Sequence, residues 1–141
     1  MKKLAVVIGG SSGIGFAICH DLKNEYVVVN MSRRENVEVN NIYCDVSDYD
    51  SIQKAFSELR DKYGVPYVLI YCSGYVDVQS IYEVTEEALS QTFQVNIFGA
   101  FRCVKEYLNL NKYDGKIILI GSTSGCRASP GWDTYAASKA A

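Results

Sequence analysis

The chain has 141 residues, 48% of them hydrophobic, and its net charge is −2 at pH 7. This length and apolar content suffice for one domain with a hydrophobic core, and the near-neutral charge argues against nucleic acid as a partner. No apolar run approaches the roughly 20 residues of a membrane span, and no signal-peptide pattern is present. The sequence therefore predicts a soluble cytoplasmic protein with no membrane partner.

The cysteine and histidine residues carry little sign of metal chemistry. The five cysteines are scattered without a Cys-x-x-Cys pair, which predicts neither a zinc site nor a disulfide framework. We expect most of them to be small core residues in a reducing compartment. His20, the one histidine, falls outside the apolar positions of a predicted helix, which favours a surface residue over a catalytic base.

The beginning of the chain predicts a strand, a tight turn and a helix. The apolar run from Leu4 to Ile8 is long enough for one buried strand, and apolar residues then recur at helical spacing over residues 14–22. Three glycines separate the two patterns in the order Gly-x-x-x-Gly-x-Gly, at positions Gly9, Gly13 and Gly15.

A glycine turn in this position is suited to binding a phosphate group. The first amides of a helix have no internal partners, and the helix dipole favours an anion there. We expect Gly9 to let the chain reverse, Gly13 to let a pyrophosphate approach the backbone, and Gly15 to let the helix pack closely. The glycines alone leave a second interpretation open, a turn with a purely structural role.

Four further apolar runs predict four further strands, over residues 26–31, 42–46, 67–72 and 116–121. The runs lack polar alternation, as is typical of parallel strands covered on both faces. A capping box at residues 47–50 opens a helix that Gly64 and Pro66 end, and Thr85 caps a long helix with one apolar face. Strands alternate with helices, which predicts an α/β fold with a doubly wound parallel sheet.

In such a sheet, the ligand binds at the carboxyl ends of the strands. The glycine turn and the predicted strand ends therefore mark the candidate binding residues. They are Gly9, Ser11, Ser12, Gly13, Ile14 and Gly15 in the turn, and Ser32, Arg33, Arg34, Asp45, Val46, Cys72, Ser73, Gly74 and Ser122 at the strand ends.

Four residues are candidates for proton-transfer chemistry. Asn96 lies on the apolar face of the long helix, where a buried amide serves either a structural hydrogen bond or a site. Ser122 follows the fifth strand, so its hydroxyl would project into the ligand crevice. Tyr135 and Lys139 are four residues apart, which places a phenol and an ammonium group on one helix face. A nearby cation favours the ionised phenol, so the pair suits proton transfer to an oxygen, although a solvated surface pair is the alternative.

With these residues in this order, the sequence resembles the amino-terminal part of the short-chain dehydrogenase/reductase family, from Leu4 to the last residue. The resemblance implies a Rossmann-type NAD(P)-binding fold and an oxidoreductase that moves a hydride between a nicotinamide cofactor and a carbonyl or secondary alcohol. The three glycines match the family's cofactor turn, and Asp45 and Val46 match its adenine-contacting pair. Four further residues match its catalytic tetrad, namely Asn96, Ser122, Tyr135 and Lys139.

The resemblance also implies a role for each member of this tetrad. Tyr135 would be the general acid/base, and Ser122 would hydrogen-bond the reacting oxygen. Lys139 would hold the nicotinamide ribose beside Tyr135, and Asn96 would order a water molecule in the proton relay. On this basis Asn96, Tyr135 and Lys139 also belong to the predicted cofactor-binding residues.

The sequence departs from the family pattern at three points. Ile8 stands where the family usually has threonine, and residues 71–74 read Tyr-Cys-Ser-Gly in place of Asn-Asn-Ala-Gly. The sequence also ends just after Lys139, with five predicted strands where a full fold of this kind has about six or more. We therefore expect residues 1–141 to form a single Rossmann domain that is incomplete at its carboxyl end.

The end of the second predicted strand bears on the choice of cofactor. Proteins that select NAD usually place an acid there to bind the ribose 2′-hydroxyl, whereas this sequence has Ser32, Arg33 and Arg34. Arginines can bind a 2′-phosphate by charge-assisted hydrogen bonds, which predicts NADP(H) over NAD(H). Two solvated arginines in a turn are the alternative interpretation.

Two functions are consistent with these patterns. The first is an oxidoreductase acting on a small-molecule carbonyl or alcohol, and the second is a catalytically incompetent nucleotide-binding fragment that self-associates. In both cases the fifth strand would be an open edge and the last helix would be short. We therefore expect a homo-oligomer.

Overall fold

The computed structural model, which describes residues 1–127 and 129–141, is built on one parallel sheet. Its strands are β1 (Leu4–Ile8), β2 (Val27–Ser32), β3 (Asn40–Tyr43), β4 (Val68–Tyr71) and β5 (Lys116–Leu119). The strand order is β3-β2-β1-β4-β5, so the chain first moves outward from β1 on one side and then returns to its other side. The predicted doubly wound parallel sheet is confirmed.

The part of the chain that the structure describes also contains five helices and two short helical turns. They are α1 (Gly13–Leu22), α2 (Tyr49–Tyr63), α3 (Glu86–Phe93), a π turn (Gln94–Phe98), α4 (Gly99–Leu110), a 3-10 turn (Thr123–Gly125) and α5 (Asp133–Ala140). None of the helices described is long and apolar enough to cross a membrane.

Strand β1 lies at the centre of the sheet and is buried along its whole length. It pairs with β2 on one side and with β4 on the other, and alternate side chains point to opposite faces. Val6 and Ile8 belong to the core shared with α2 and α4, whereas Ala5 and Val7 belong to the core beside α1. The apolar run that predicted this strand therefore supplies both cores.

Strands β2 and β3 are joined by a short parallel crossover. Such a connection usually needs a dozen or more residues with a helix, but residues 33–39, all of them described, form no helix. Side-chain amides bind the crossover backbone instead. Asn41 Nδ2 donates to the carbonyls of Asn36 at 2.8 Å and Val39 at 3.0 Å, and Asn41 Oδ1 accepts the Asn36 N–H at 2.8 Å. These bonds satisfy backbone groups that a helix would otherwise pair.

The long helix predicted from Thr85 has the expected start but an unexpected middle. Thr85 Oγ1 accepts a backbone N–H of the first turn of α3 at 3.1 Å. Residues 94–98 then form the π turn that separates α3 from α4. The Tyr71 hydroxyl donates to the Val95 carbonyl at 2.5 Å, and a Cβ at Gly99 would lie 2.6 Å from that hydroxyl oxygen. The π turn is thus fitted against the end of β4.

Helix α2 ends as predicted but begins with a different cap. Its N-cap is Asp48, whose carboxylate accepts the Asp50 N–H at 3.0 Å, so the predicted capping box is wrong in detail. Ser47 instead donates its N–H and its hydroxyl to Asp45 Oδ1, at 3.0 and 2.7 Å. Gly64 ends the helix with a φ of +92°, a left-handed conformation that favours glycine.

Strand β5 is the least covered strand among those described. It pairs with β4, and all four of its residues are exposed. Ile117, Ile118 and Leu119 are 39%, 45% and 55% exposed, although their apolar side chains are typical of a buried strand. An apolar surface therefore lies open beside α4 and α5.

We expect Tyr71→Phe to lower the free energy of unfolding by about 1–3 kcal/mol, because the Val95 carbonyl in the π turn would lose its donor. Burial raises the pKa of the Tyr71 hydroxyl well above its usual value, so the hydroxyl is a neutral donor at neutral pH. Urea unfolding measures the change. Tyr43→Phe, at a side chain that is 65% exposed, is the control and should change nothing; equal effects of the two variants would contradict this account.

Candidate active site

A cleft of about 350 Å³ opens where the carboxyl ends of the strands meet. Four chain segments line it, together with single residues of α3, the π turn and α5, and the cleft brings together most of the residues predicted from the sequence. The predicted residues in the cleft are Gly9, Ser11, Ser12, Gly13, Ile14, Gly15, Ser32, Arg33, Arg34, Asp45, Val46, Cys72, Ser73, Gly74 and Tyr135.

The glycine turn brings α1 close to the end of β1. Gly9 and Gly13 have φ values of +84° and +55°, in the left-handed region that favours glycine. A Cβ at Gly15 would collide with the Gly9 carbonyl, so a larger residue would push α1 away. A Cβ at Gly13 would meet nothing within 4 Å. The turn therefore combines close packing at one glycine with open space at another, beside the first amides of α1.

The arginine pair, Arg33 and Arg34, lines the cleft beyond the end of β2, and both side chains are exposed. The backbone beneath them is held from two sides. The Ser32 hydroxyl donates to the Arg34 carbonyl at 2.5 Å, and Asn30 Nδ2 donates to the same carbonyl at 3.1 Å. These hydrogen bonds hold the backbone in place, and the two cationic side chains that it carries line the cleft, where they could bind an anion.

The end of β4 packs directly against the glycine turn. The Cys72 N–H donates to the Ile8 carbonyl at 2.8 Å, and a Cβ at Gly9 would lie 2.7 Å from Ser73 Oγ. Burial raises the pKa of the Cys72 thiol to about 11, so the thiol stays protonated near pH 7. Cys72 therefore lines the cleft as a neutral thiol.

Asn96 lies in the π turn and joins two distant segments. Its Oδ1 accepts the Tyr75 N–H at 2.7 Å, and its Nδ2 donates to the Tyr75 carbonyl and to Ser138 Oγ, each at 2.9 Å. The Ser138 hydroxyl donates in turn to the Tyr135 carbonyl at 2.7 Å. Both amide hydrogens of Asn96 are thus bound by protein groups, and the side chain fastens α5 to the loop after β4.

Ser122 and Lys139 lie where the 3-10 turn meets α5. Ser122 Oγ accepts the Ser124 N–H at 3.1 Å and so caps the turn. A Cβ at Gly125 would lie 2.6 Å from the Lys139 carbonyl oxygen, which shows how closely the turn approaches the helix. Lys139 Nζ donates to the Ile120 carbonyl at 3.2 Å.

Tyr135 is the member of the predicted tetrad that lines the cleft. Its ring makes an edge-to-face contact with Trp132, with centroids 5.8 Å apart. Lys139 Nζ lies 5.8 Å from the centroid of the Tyr135 ring, so the phenol and the ammonium group share one face of α5 as predicted. Asn96 lines a second cavity, of about 220 Å³. Ser122 and Lys139 are not among the described residues that line the cleft or this cavity.

Sequence analysis missed five of the described residues that line the cleft, namely Cys44, Tyr75, Val76, Gln91 and Val95. Three of them directly adjoin a predicted strand-end group, so extending each group by one or two residues would have found them. The other two come from α3 and the π turn, and their place in the cleft follows from tertiary packing that no local pattern indicates.

A cleft at the carboxyl ends of parallel strands, with a glycine turn that opens a helix beside it, defines a nucleotide-binding protein of the doubly wound α/β class. The family described as short chain dehydrogenase matches residues 3–141. The chain belongs to this family, whose members bind nicotinamide cofactors.

Named relatives are similar to the chain along nearly its whole length. It is 32% identical to the 3-oxoacyl-(acyl-carrier-protein) reductase MabA of Mycobacterium avium, over 99% of this chain and 57% of that protein. It is 31% identical to an NADPH-dependent 3-dehydrocapnine reductase of Ornithobacterium rhinotracheale, over 97% of this chain and 55% of that protein. The solved structure of ElxO with NADP bound matches with a TM-score of 0.91 and 25% identity, over 99% of this chain and 63% of that one. The chain therefore spans less than two thirds of each of these proteins.

Proposed function

We propose that this chain supplies the cofactor site and the proton-transfer residues of an NADP(H)-dependent oxidoreductase acting on a small-molecule carbonyl or secondary alcohol. The observation that carries the proposal is the cleft in which the glycine turn, the arginine pair and Tyr135 lie together. Anion-binding groups and a proton donor in one cleft fit a reaction in which a bound dinucleotide meets a reacting oxygen.

The residues of the cleft fit a dinucleotide. The open space beside Gly13 and the first amides of α1 would take the diphosphate. Asp45 and Val46 line the cleft at the end of β3, where the adenine would lie by the family resemblance. The nicotinamide ring, when bound, supplies or accepts the hydride.

The chain's own residues would handle the proton. Tyr135 would give its phenolic proton to the substrate carbonyl oxygen in reduction and take a proton from the alcohol in oxidation. By the family resemblance, Ser122 would hydrogen-bond the same oxygen and Lys139 would hold the nicotinamide ribose, from positions beside the residues that line the cleft. Asn96 would act by keeping α5 in place, because both of its amide hydrogens are already donated to protein acceptors.

The preference for NADP(H) rests on the end of β2. Ser32 carries no charge that would repel a 2′-phosphate, and Arg33 and Arg34 are exposed in the cleft. The names of two similar proteins, an NADPH-dependent reductase and ElxO with NADP bound, agree with this preference.

We also propose that the chain self-associates. The exposed strand β5 adjoins an apolar cavity of about 220 Å³ lined in part by Phe101, Val104 and Leu119. Phe101 is 75% exposed and Leu119 is 55% exposed. A second copy covering this surface would remove these apolar side chains from water.

We expect NADPH to bind more tightly than NADH, and the double variant Arg33→Ala/Arg34→Ala to lose most of that difference. Hydrogen bonds to charged groups are worth about 1.5–3 kcal/mol each, so the loss in NADPH affinity should be about tenfold or more. Calorimetry with both cofactors measures the difference. Arg60→Ala, at an exposed residue of α2, is the control; tighter or equal binding of NADH by the unaltered chain would overturn the cofactor preference.

We expect Tyr135→Phe to lower turnover by about 10²–10⁴-fold and to leave NADPH affinity unchanged, because one hydroxyl is removed and the ring remains. Turnover is followed as NADPH oxidation with a panel of ketones, and affinity by calorimetry. Tyr113→Phe, at a fully exposed tyrosine, is the matched control. Near-normal turnover in Tyr135→Phe would show that another group moves the proton. An unaltered chain that binds NADPH but reduces no ketone would favour a nucleotide-binding protein without turnover.

Light scattering at micromolar concentration is expected to show a dimer or a larger assembly. Phe101→Glu should shift the distribution towards monomer, because a charge would be buried in the proposed contact. Val37→Glu, in the crossover and 93% exposed, is the control and should leave the distribution unchanged. A monodisperse monomer of the unaltered chain would contradict self-association.

A further inference from the structure

Three asparagine side chains connect the glycine turn with the arginine pair. Asn30 lies on β2 and is 1% exposed, Asn36 lies in the crossover and is 2% exposed, and Asn41 lies half-buried on β3. Buried amides need hydrogen-bond partners. Here several of the partners are backbone groups from two different parts of the proposed cofactor site.

The hydrogen bonds form a continuous network from one part to the other. Asn36 Nδ2 donates to the Gly10 carbonyl at 2.8 Å, and the Asn36 N–H donates to Asn41 Oδ1, also at 2.8 Å. Asn30 Nδ2 donates to the same Asn41 oxygen at 2.8 Å and to the Arg34 carbonyl at 3.1 Å. Asn41 Oδ1 is therefore the acceptor at which the two halves of the network meet.

The two carbonyls at the ends of the network set the direction of the amides next to them. In a trans peptide, the C=O of one residue and the N–H of the next point in opposite directions. The bond from Asn36 to the Gly10 carbonyl therefore turns the Ser11 N–H away from the crossover, and Ser11 lines the cleft. The hydrogen bonds to the Arg34 carbonyl fix the orientation of the peptide group between Arg34 and Glu35 in the same way.

Gly10 packs tightly against the network. A Cβ there would lie 2.6 Å from Cys19 Sγ and 2.9 Å from Asn30 Oδ1. The turn and the asparagine on β2 are thus in close contact, and a shift of one would move the other.

Glu38 fastens the crossover to α1 from the outside. Its carboxylate accepts a hydrogen bond from Lys23 Nζ at 2.7 Å and lies 2.6 Å from His20 Nδ1, and its N–H donates to Asn36 Oδ1 at 2.9 Å. The hydrogen bonds with Lys23 and His20 hold the pKa of the Glu38 carboxyl below its usual value. The carboxylate is therefore ionised, and this contact is formed, at neutral pH.

We propose that Asn36 and Asn41 are positioning residues for cofactor selection, which hold the glycine turn and the arginine pair at the spacing of the diphosphate and the 2′-phosphate of NADP(H). This inference rests on the proposed function. NADH has no 2′-phosphate and so depends on the glycine turn but not on the arginine pair. Loosening the network should therefore weaken NADPH binding more than NADH binding.

The test compares Asn41→Ala with Asn40→Ala. Asn41 is the shared acceptor of the network, whereas the side chain of the neighbouring Asn40 donates to the Val28 carbonyl at 3.2 Å. Calorimetry gives the dissociation constants of NADPH and NADH for each chain. We expect Asn41→Ala to lower the ratio of NADPH affinity to NADH affinity by about tenfold, the effect of one or two hydrogen bonds, while Asn40→Ala leaves the ratio unchanged.

Thermal unfolding of the same chains separates positioning from folding. An Asn41→Ala chain that unfolds at the normal temperature and keeps the normal ratio of NADPH affinity to NADH affinity would overturn the inference. An equal loss of affinity for the two cofactors would overturn it as well. If Asn41→Ala does not fold, the ratio is measured for Asn36→Ala, and an unchanged ratio there would overturn it. An unaltered chain that binds NADH as tightly as NADPH would instead remove the proposed cofactor preference, so the two failures are distinguishable.

Discussion

The site depends on how closely three chain segments approach one another at the carboxyl end of β1. Gly15 has no side chain, so α1 lies against the Gly9 carbonyl, and Ser73 packs where a Cβ of Gly9 would be. Because β1 pairs with both β2 and β4, moving this turn would also move the strand ends that carry the arginine pair and Cys72. The shape of the cleft therefore follows from the absence of side chains at two positions in the connection between β1 and α1.

A second close fit positions the other half of the site. The π turn is fitted against Tyr71 and Gly99, and it places Asn96 between the loop after β4 and helix α5. A regular α-helix over the same residues would turn the amide by a different amount, since a π turn contains one more residue per hydrogen-bonded ring. The bonds from Asn96 to Tyr75 and Ser138 thus depend on a local irregularity of the backbone.

The strands and the residues at their ends could be predicted because apolar runs are local, and because all parallel strands of one sheet end at the same edge. The π turn could not, since it depends on the hydroxyl of Tyr71, which lies 24 residues before Val95 in the sequence. The cap of α2 was assigned one residue early because serine and aspartate both favour that position. The asparagine network could not be predicted either. Its residues lie in or beside a polar segment with no local pattern, and they come into contact because β2 and β3 pair side by side.

The two halves of the site differ in what holds them. The half that contains the glycine turn and the arginine pair is held by contacts among β1, β2, β4, α1 and the crossover. The half that carries Tyr135 and Lys139 depends on α5, whose eight residues are too few for a stable isolated helix. Its position comes from Ser138, which binds Asn96, and from the close approach of Gly125 to the Lys139 backbone. Because these contacts lie outside the cleft, loosening α5 would displace Tyr135 while the glycine turn keeps its shape.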